Sequence, residues 1–243
     1  MKLGTLYGIG VGPGDPELLT VKGAKLLARC RHVFVPKAGP DAESVALAIA
    51  RPHLNPGAQA HELVFPMTTD PAELERKWRG AAQQVAAVLE GGEDACFITL
   101  GDPLLYSTYI YLVRALRGLL PELPIVTVPG VTSVAAAAAL AEFPVGVGKR
   151  PVTIVPTADD FGTLRQALRA GGTLVLMKIG RRLAAVLDLL EEEGLIDRAV
   201  FVARAGQDGQ RIETDLRRLR GERPEAGYLS IILVQADASG NDE

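Results

Sequence analysis

Residues 11–20 read VGPGDPELLT and residues 100–109 read LGDPLLYSTY. Each is a Gly-Asp-Pro turn behind an apolar run: the first follows Thr5–Gly10, the second closes DACFITL at 94–100. After each turn apolar residues return at helical spacing, in ELLTVKGAKLLARC (17–30) and YSTYIYLVRALRGLL (106–120). The unit is therefore strand, turn, helix. Working outward, HVFVP (32–36), ELVFP (62–66) and PIVTVPG (124–130) read as further strands. Between and after them SVALAIA (44–50), PAELERKWRGAAQQVAAVLEGG (71–92) and VTSVAAAAALA (131–141) read as helices, the long one opened by Pro71 and closed by glycines. That alternation predicts an α/β fold with parallel sheets covered on both faces.

The pattern breaks at EFPVGVGKRP (142–151), a Gly/Pro-rich linker. Beyond it VTIVP (152–156), TLVLMK (173–178), AVFVARA (199–205) and YLSIILV (228–234) supply a second sheet, and the polar GQRIETDLRRLRGERP (209–224) mixes an edge strand with a short helix or turn. The expectation is two α/β domains, 1–145 and 146–236, and a tail at 237–243 that frays.

With 243 residues, 48% apolar and 23% charged, the chain has the make-up of a globular enzyme. A net charge of −3 gives no long-range field for nucleic acid, so an anionic ligand must meet local Arg and Lys. Two cysteines, Cys30 and Cys96, are too few for a disulfide scaffold or thiolate metal site and read as core packing. His32, His53 and His61 share no ligand spacing, and no metal site is expected. MKLGTLYGIG carries no signal-peptide core, and no apolar run reaches the roughly 18 residues of a membrane span, which places the protein in the cytoplasm.

A glycine-rich turn between strand and helix invites a phosphate, because amides at a helix N-terminus attract anions. The spacing in GIGVGPGDP (8–16) opposes a dinucleotide fingerprint: the third glycine would fall on Pro13 or on Asp15. Pro13 removes a donor and Asp15 places a carboxylate where pyrophosphate would lie. The second strand ends at Lys37 rather than at an acid for a ribose, and GVGK at 146–149 continues into Arg150 rather than Ser or Thr. A plain reading of the loops also stands: Asp15 caps the next helix with Pro16 at its first position, and Asp102 caps a turn.

Taken in order, VGPGDPELLTVKGAKLL (11–27), FITLGDPLLYSTYIYL (97–112), VPGVTSVAAAAA (128–139), LMKIG (176–180) and YLSIILV (228–234) resemble the tetrapyrrole (corrin/porphyrin) methylase family across nearly the whole chain. Within it, GDPLLYSTYIYL is most similar to the enzymes that methylate carbon 20 of precorrin-2 or its cobalt-containing counterpart. The resemblance implies the class III methylase fold: two α/β domains with mostly parallel or mixed sheets, S-adenosylmethionine in the cleft between them, a homodimer, and a role in cobalamin biosynthesis. It puts the Gly101 loop against the donor and the Gly12 loop, with Pro13 and Gly14, beside the tetrapyrrole.

By the same resemblance Gly101 and Asp102 contact the donor largely through the main chain, Tyr106 lines its pocket, and Thr132 and Ser133 hydrogen-bond it. Met177 and Ala205 flank the adenosine, with Ser230 nearby. Each has an ordinary alternative: Thr132 and Ser133 as helix caps, Met177 as strand packing, Tyr106 as a core aromatic. The attacking atom is a carbon of the tetrapyrrole itself, so no activated Ser or Cys is needed, and a triad is not found. Asp15 is the candidate for taking up the displaced proton. Lys37, Lys149 and Arg150 are candidates for the substrate's carboxylates, with solvated surface charge as the alternative. The pairs Arg181/Arg182 and Arg217/Arg218 read as helix-surface charge. Competing functions are a sister methylase acting on uroporphyrinogen III or another corrin position, a nicotinamide-dependent oxidoreductase, and a non-catalytic tetrapyrrole carrier.

Overall fold

The computed structural model describes residues 2–236 apart from 40, 66, 67, 69, 157–160, 224–226 and 228; the 237–243 tail lies outside the described residues. The chain divides into two compact units, Met1–Thr132 and Ser133–Glu243. The division falls before the linker, at the start of the alanine-rich helix. That helix packs against the last strand of the second unit's sheet.

The first unit holds β1 (Leu6–Gly10), α1 (Val21–Leu27), β2 (His32–Lys37), α2 (Val45–Ala50), β3 (Gln59–Val64), α3 (Pro71–Glu90), β4 (Ala95–Thr99), α4 (Tyr109–Leu119) and β5 (Ile125–Val128). Its strands form one sheet in the order β3-β2-β4-β1-β5, with every pairing parallel. Alternate side chains serve opposite faces, which is why each strand reads as continuously apolar. Phe34 and Phe97 pack with Ala82, Val85 and Leu89 of α3 and Leu112 and Leu116 of α4. Val33, Val35, Cys96 and Ile98 pack with Leu26, Leu27, Ile49 and Ala50 on the α1 and α2 side. Each fully buried side chain of this size contributes about 1.5–3 kcal/mol.

Local rules set the helix ends. Asp70 accepts from the Ala72 amide at 3.0 Å and Pro71 opens α3, as the sequence predicts. The helix expected over 17–30 is instead broken: Pro16–Leu18 form a 3-10 turn, Leu19 and Thr20 are extended, and α1 begins at Val21 with the Thr20 hydroxyl accepting from the Gly23 amide at 3.1 Å. Leu19 leaves the helical path to bury itself against Ile9 and its neighbours, and tertiary packing overrides the spacing. Cys30 accordingly sits in the turn after α1, buried like Cys96; a hydrogen bond with Cys30 together with burial pushes the Cys96 thiol well up, so it is a core group.

The second unit holds α5 (Ser133–Leu140), β6 (Val152–Pro156), α6 (Phe161–Ala170), β7 (Thr173–Met177), α7 (Leu183–Glu192), β8 (Ala199–Ala203), β9 (Arg211–Glu213) and β10 (Ser230–Gln235). Its sheet runs β6-β7-β10-β8-β9, parallel between β6 and β7 and antiparallel elsewhere, so it is mixed. The polar 209–224 stretch is an edge strand, β9, followed by a 3-10 turn at Leu216–Leu219. Arg217 in that turn pairs with Asp197 at 2.5 Å, and Arg220 with Asp188 at 2.8 Å and with Glu191, an exposed network of the kind that contributes little per pair.

Two of the three histidines meet, and His53 lies apart with its Nε2 3.1 Å from the Pro16 carbonyl. His32 Nδ1 lies 2.9 Å from His61 Nε2 across the β2–β3 pairing, and His32 Nε2 lies 3.0 Å from Glu93. Among the described residues no group of three His, Cys, Asp or Glu is placed to hold a metal. Burial, and then the nearby His32, lower the pKa of His61 below its ordinary 6.5. The unfolded chain therefore takes up this proton first, and stability falls as pH drops through 6.5 towards the depressed folded value, with no effect above 6.5. Thermal unfolding at pH 7.5 and pH 5.5 is expected to show a smaller acid-induced drop for His61→Gln than for the wild type; equal drops would remove His61 as the cause.

Candidate active site

In an all-parallel sheet the loops that leave the carboxyl ends of the strands share one edge. Adjacent β1 and β4 send their chains to opposite faces, to α1 and to α4, so the sheet has its topological switch point between them. Both Gly-Asp-Pro loops start there. They are joined by an antiparallel bridge: the Gly101 amide donates to the Gly12 carbonyl at 2.8 Å and the Gly12 amide donates to the Gly101 carbonyl at 3.3 Å. Gly12 and Gly101 hold φ of 83° and 69°, left-handed values that glycine adopts without strain.

A third loop completes the edge. Asp102 Oδ1 accepts from the Leu104 amide at 2.8 Å, and Asp102 Oδ2 accepts from the Gly130 amide at 3.1 Å, tying the loop after β4 to the loop after β5. Gly130 and Gly10 allow backbones to touch here: a Cβ on Gly130 would stand 2.1 Å from the Gly101 carbonyl oxygen, and one on Gly10 would stand 2.5 Å from it. Sequence reasoning missed both. Their signal was present, in GIG at 8–10 and PG at 129–130, but only the three-way packing shows what they serve.

The amides of Gly12, Gly101, Leu104 and Gly130 are therefore engaged, by the Gly101 and Gly12 carbonyls and by the Asp102 carboxylate; Asp15 likewise accepts from the Glu17 amide at 2.8 Å, capping its 3-10 turn. What the site presents instead is bare backbone: a Cβ added to Gly101 would meet no atom within 4 Å. Tyr106, on the same loop, is 42% exposed with φ 54°, so it is not a core aromatic. The helix expected from Tyr106 begins only at Tyr109, because the Ser107 hydroxyl lies 2.8 Å from the Thr99 hydroxyl and takes the Tyr109 amide at 3.1 Å. Tyr109 fills the space that Gly8 leaves, with its hydroxyl 2.9 Å from that of Thr127.

Pro13 and Gly14 are buried in the first loop, and Thr132 and Ser133 are half-buried at the start of α5. Lys37 ends β2 with its ammonium 3.0 Å from Glu62. Lys149 is exposed and Arg150 half-buried. In the second unit the register brings Met177, Ala205 and Ser230 to one edge: Met177 pairs with Ile231 and Ala203 pairs with Ser230. Met177 is half-buried, Ala205 is buried, and the buried Ser230 hydroxyl donates to the Gly227 carbonyl at 2.7 Å.

Together the fold and the loops define an open α/β protein whose two Gly-Asp-Pro loops meet at the strand edge where such sheets take their ligands. The chain belongs to the tetrapyrrole (corrin/porphyrin) methylase family, whose model matches residues 5–219. It is 35% identical, over 95% of its length and 96% of the relative's, to the cobalt-precorrin-2 C(20)-methyltransferase of Salmonella typhimurium. It is 30% identical, over 96% of its length and 95% of the relative's, to the precorrin-2 C(20)-methyltransferase of a Sinorhizobium species. Its fold matches that of the uroporphyrin-III C-methyltransferase of Thermus thermophilus solved with S-adenosylhomocysteine, with a TM-score of 0.63 and 24% identity, over 96% of this chain and 97% of that one. Among the described residues no helix is long and apolar enough to cross a membrane.

Proposed function

We propose that this chain is an S-adenosylmethionine-dependent C-methyltransferase acting on carbon 20 of precorrin-2 or its cobalt-containing counterpart, in cobalamin biosynthesis. The observation that carries the reading is the Gly12–Gly101 bridge: it engages the Gly12 and Gly101 amides internally while leaving space for a Cβ at Gly101 open. A donor with a sulfonium and an amino-acid head fits such a surface; a dinucleotide, which needs those amides for its pyrophosphate, does not. The full-length likeness to two carbon-20 methyltransferases supports the choice of acceptor.

In this reading the main chain of Gly101 and Asp102 receives the amino-acid head, with Tyr106, Thr132 and Ser133 around it, and Met177, Ala205 and Ser230 take the adenosine. The donor supplies an electrophilic methyl group. The protein's share is to hold the acceptor carbon in line with it, which in well-oriented systems reaches effective molarities of up to about 10⁸ M. Pro13 and Gly14 lie against the tetrapyrrole, and Asp15, whose carboxylate also caps its turn, accepts the proton that leaves carbon 20. Lys37 and Arg150 meet substrate carboxylates, Lys37 by exchanging its contact with Glu62. The protein works as a homodimer in the cytoplasm.

The test is mass spectrometry of the tetrapyrrole after anaerobic incubation with S-adenosylmethionine and, in separate reactions, precorrin-2, cobalt-factor II or uroporphyrinogen III. One added methyl group, placed at carbon 20 by NMR, is expected. Methylation only of uroporphyrinogen III or at another position would assign the sister activity, and tetrapyrrole binding without transfer would assign a carrier.

A further inference from the structure

Three residues at the edge of the second sheet stand in a conformation that glycine alone adopts freely. Lys178, Arg204 and Leu229 hold φ of 56°, 50° and 50°. Lys178 directly follows Met177, Arg204 directly precedes Ala205, and Leu229 directly precedes Ser230. Left-handed backbone costs a residue with a Cβ about 1–2 kcal/mol. The same edge does use glycine where nothing else is needed, at Gly180 and Gly206, with φ of 51° and 72°. At Lys178 and Arg204 the chain instead keeps long cationic side chains, both exposed.

Their placement is fixed by the sheet. The Arg204 amide donates to the Leu229 carbonyl at 2.9 Å, which locks the exit of β8 against the entry of β10. Only β10 separates β7 from β8, so the strands leading to the two cations are roughly 10 Å apart. Arg181 and Arg182 follow closely after Lys178, and Asp208 is the one carboxylate of the loop from 204 to 210. A strained position that retains a charged side chain where glycine would relieve the strain is the pattern expected of a recognition residue.

We propose that Lys178 and Arg204 form a carboxylate-recognising pair that selects and orients the polyanionic tetrapyrrole, with the left-handed backbone aiming the two side chains. This rests on the reading under Proposed function. A reduced tetrapyrrole of this class presents a carboxylate on each acetate and propionate arm, whereas the donor has one, balanced by its own ammonium. Two cations carried at the ends of strands roughly 10 Å apart can serve separate arms of one macrocycle. Arg204 offers the planar fork that binds a carboxylate through two hydrogen bonds, and Lys178 a compact point charge.

The experiment uses Lys178→Gly, Arg204→Gly and Arg204→Lys in the full chain. It measures the Tm, the Kd of S-adenosylhomocysteine by calorimetry, and KM and kcat for each tetrapyrrole at low and high salt. Because glycine fits these positions, both glycine variants are expected to be as stable as the wild type or more so, with donor-product affinity unchanged. KM for the tetrapyrrole is expected to rise about tenfold for each cation removed, with a smaller difference at high salt, and Arg204→Lys to recover part of the loss. An unchanged tetrapyrrole KM beside active wild type overturns the inference, and a weakened S-adenosylhomocysteine affinity with unchanged KM reassigns the pair to the donor's carboxylate. A wild type that methylates neither acceptor overturns the parent reading and this one with it.

Discussion

Gly130→Ala is expected to leave a folded protein that transfers methyl groups at least about 100-fold more slowly than the wild type. The cause is one carbon atom. A Cβ at residue 130 would lie 2.1 Å from the Gly101 carbonyl oxygen and 2.8 Å from Cα and the carbonyl carbon of Gly10, all main-chain atoms with no rotamer to turn away. Relief requires the Gly101 loop to retreat by roughly 1 Å, which is enough to spoil an in-line arrangement. The retreat also strains the hydrogen bond from the Gly130 amide to Asp102 and the bridge between Gly12 and Gly101. Overpacking of this kind costs about 1–3 kcal/mol, so the Tm should fall by several degrees without loss of fold. Near wild-type kcat in Gly130→Ala would show that the close approach of these loops does not position the reacting groups.

Gly101→Leu probes the other side of the same loop and should act through affinity instead. A Cβ at Gly101 meets nothing within 4 Å beyond its chain neighbours, so the first carbon of a leucine enters open space, although at φ 69° the residue carries about 1–2 kcal/mol of backbone strain. If the donor lies on that bare backbone, the leucine occupies its place, and the Kd of S-adenosylhomocysteine is expected to rise by at least about 100-fold, equivalent to about 2.7 kcal/mol. Gly101→Ala separates the contributions: it carries the same strain with less bulk and should fall between the two. Calorimetry that finds wild-type affinity in a folded Gly101→Leu protein would move the donor away from this loop. The two substitutions thus differ in signature, one lowering Tm and rate from inside the loop cluster, the other lowering affinity from its open face.

Much of the fold is legible in the sequence alone. The alternation of apolar runs with helical spacing predicts the strands and most of the helices, because parallel strands buried on both faces need continuous apolar sequence. The misplaced helix start at 17–30 shows where local spacing stops being informative: Leu19 fits a helical stripe, yet its burial beside Ile9 is worth more than another turn of helix, and Thr20 supplies the cap for a later start. A Gly/Pro-rich linker marks where the chain is irregular, whereas the alanine-rich helix before it is assigned by what it packs on, namely β10.

The sequence by itself determined the strand-turn-helix units, the exclusion of a dinucleotide fingerprint by Pro13 and Asp15, and the ordered motifs that mark the family. These depend on residue types at short range, where periodicity and hydrogen-bonding capacity act directly. Only the tertiary structure decided that the two Gly-Asp-Pro loops bond to each other, that Asp102 reaches Gly130, that His32 meets His61, and that Lys178 and Arg204 stand on left-handed backbone at one sheet edge. Strand order brings together residues far apart in the chain, and no local pattern encodes which strand ends will be neighbours.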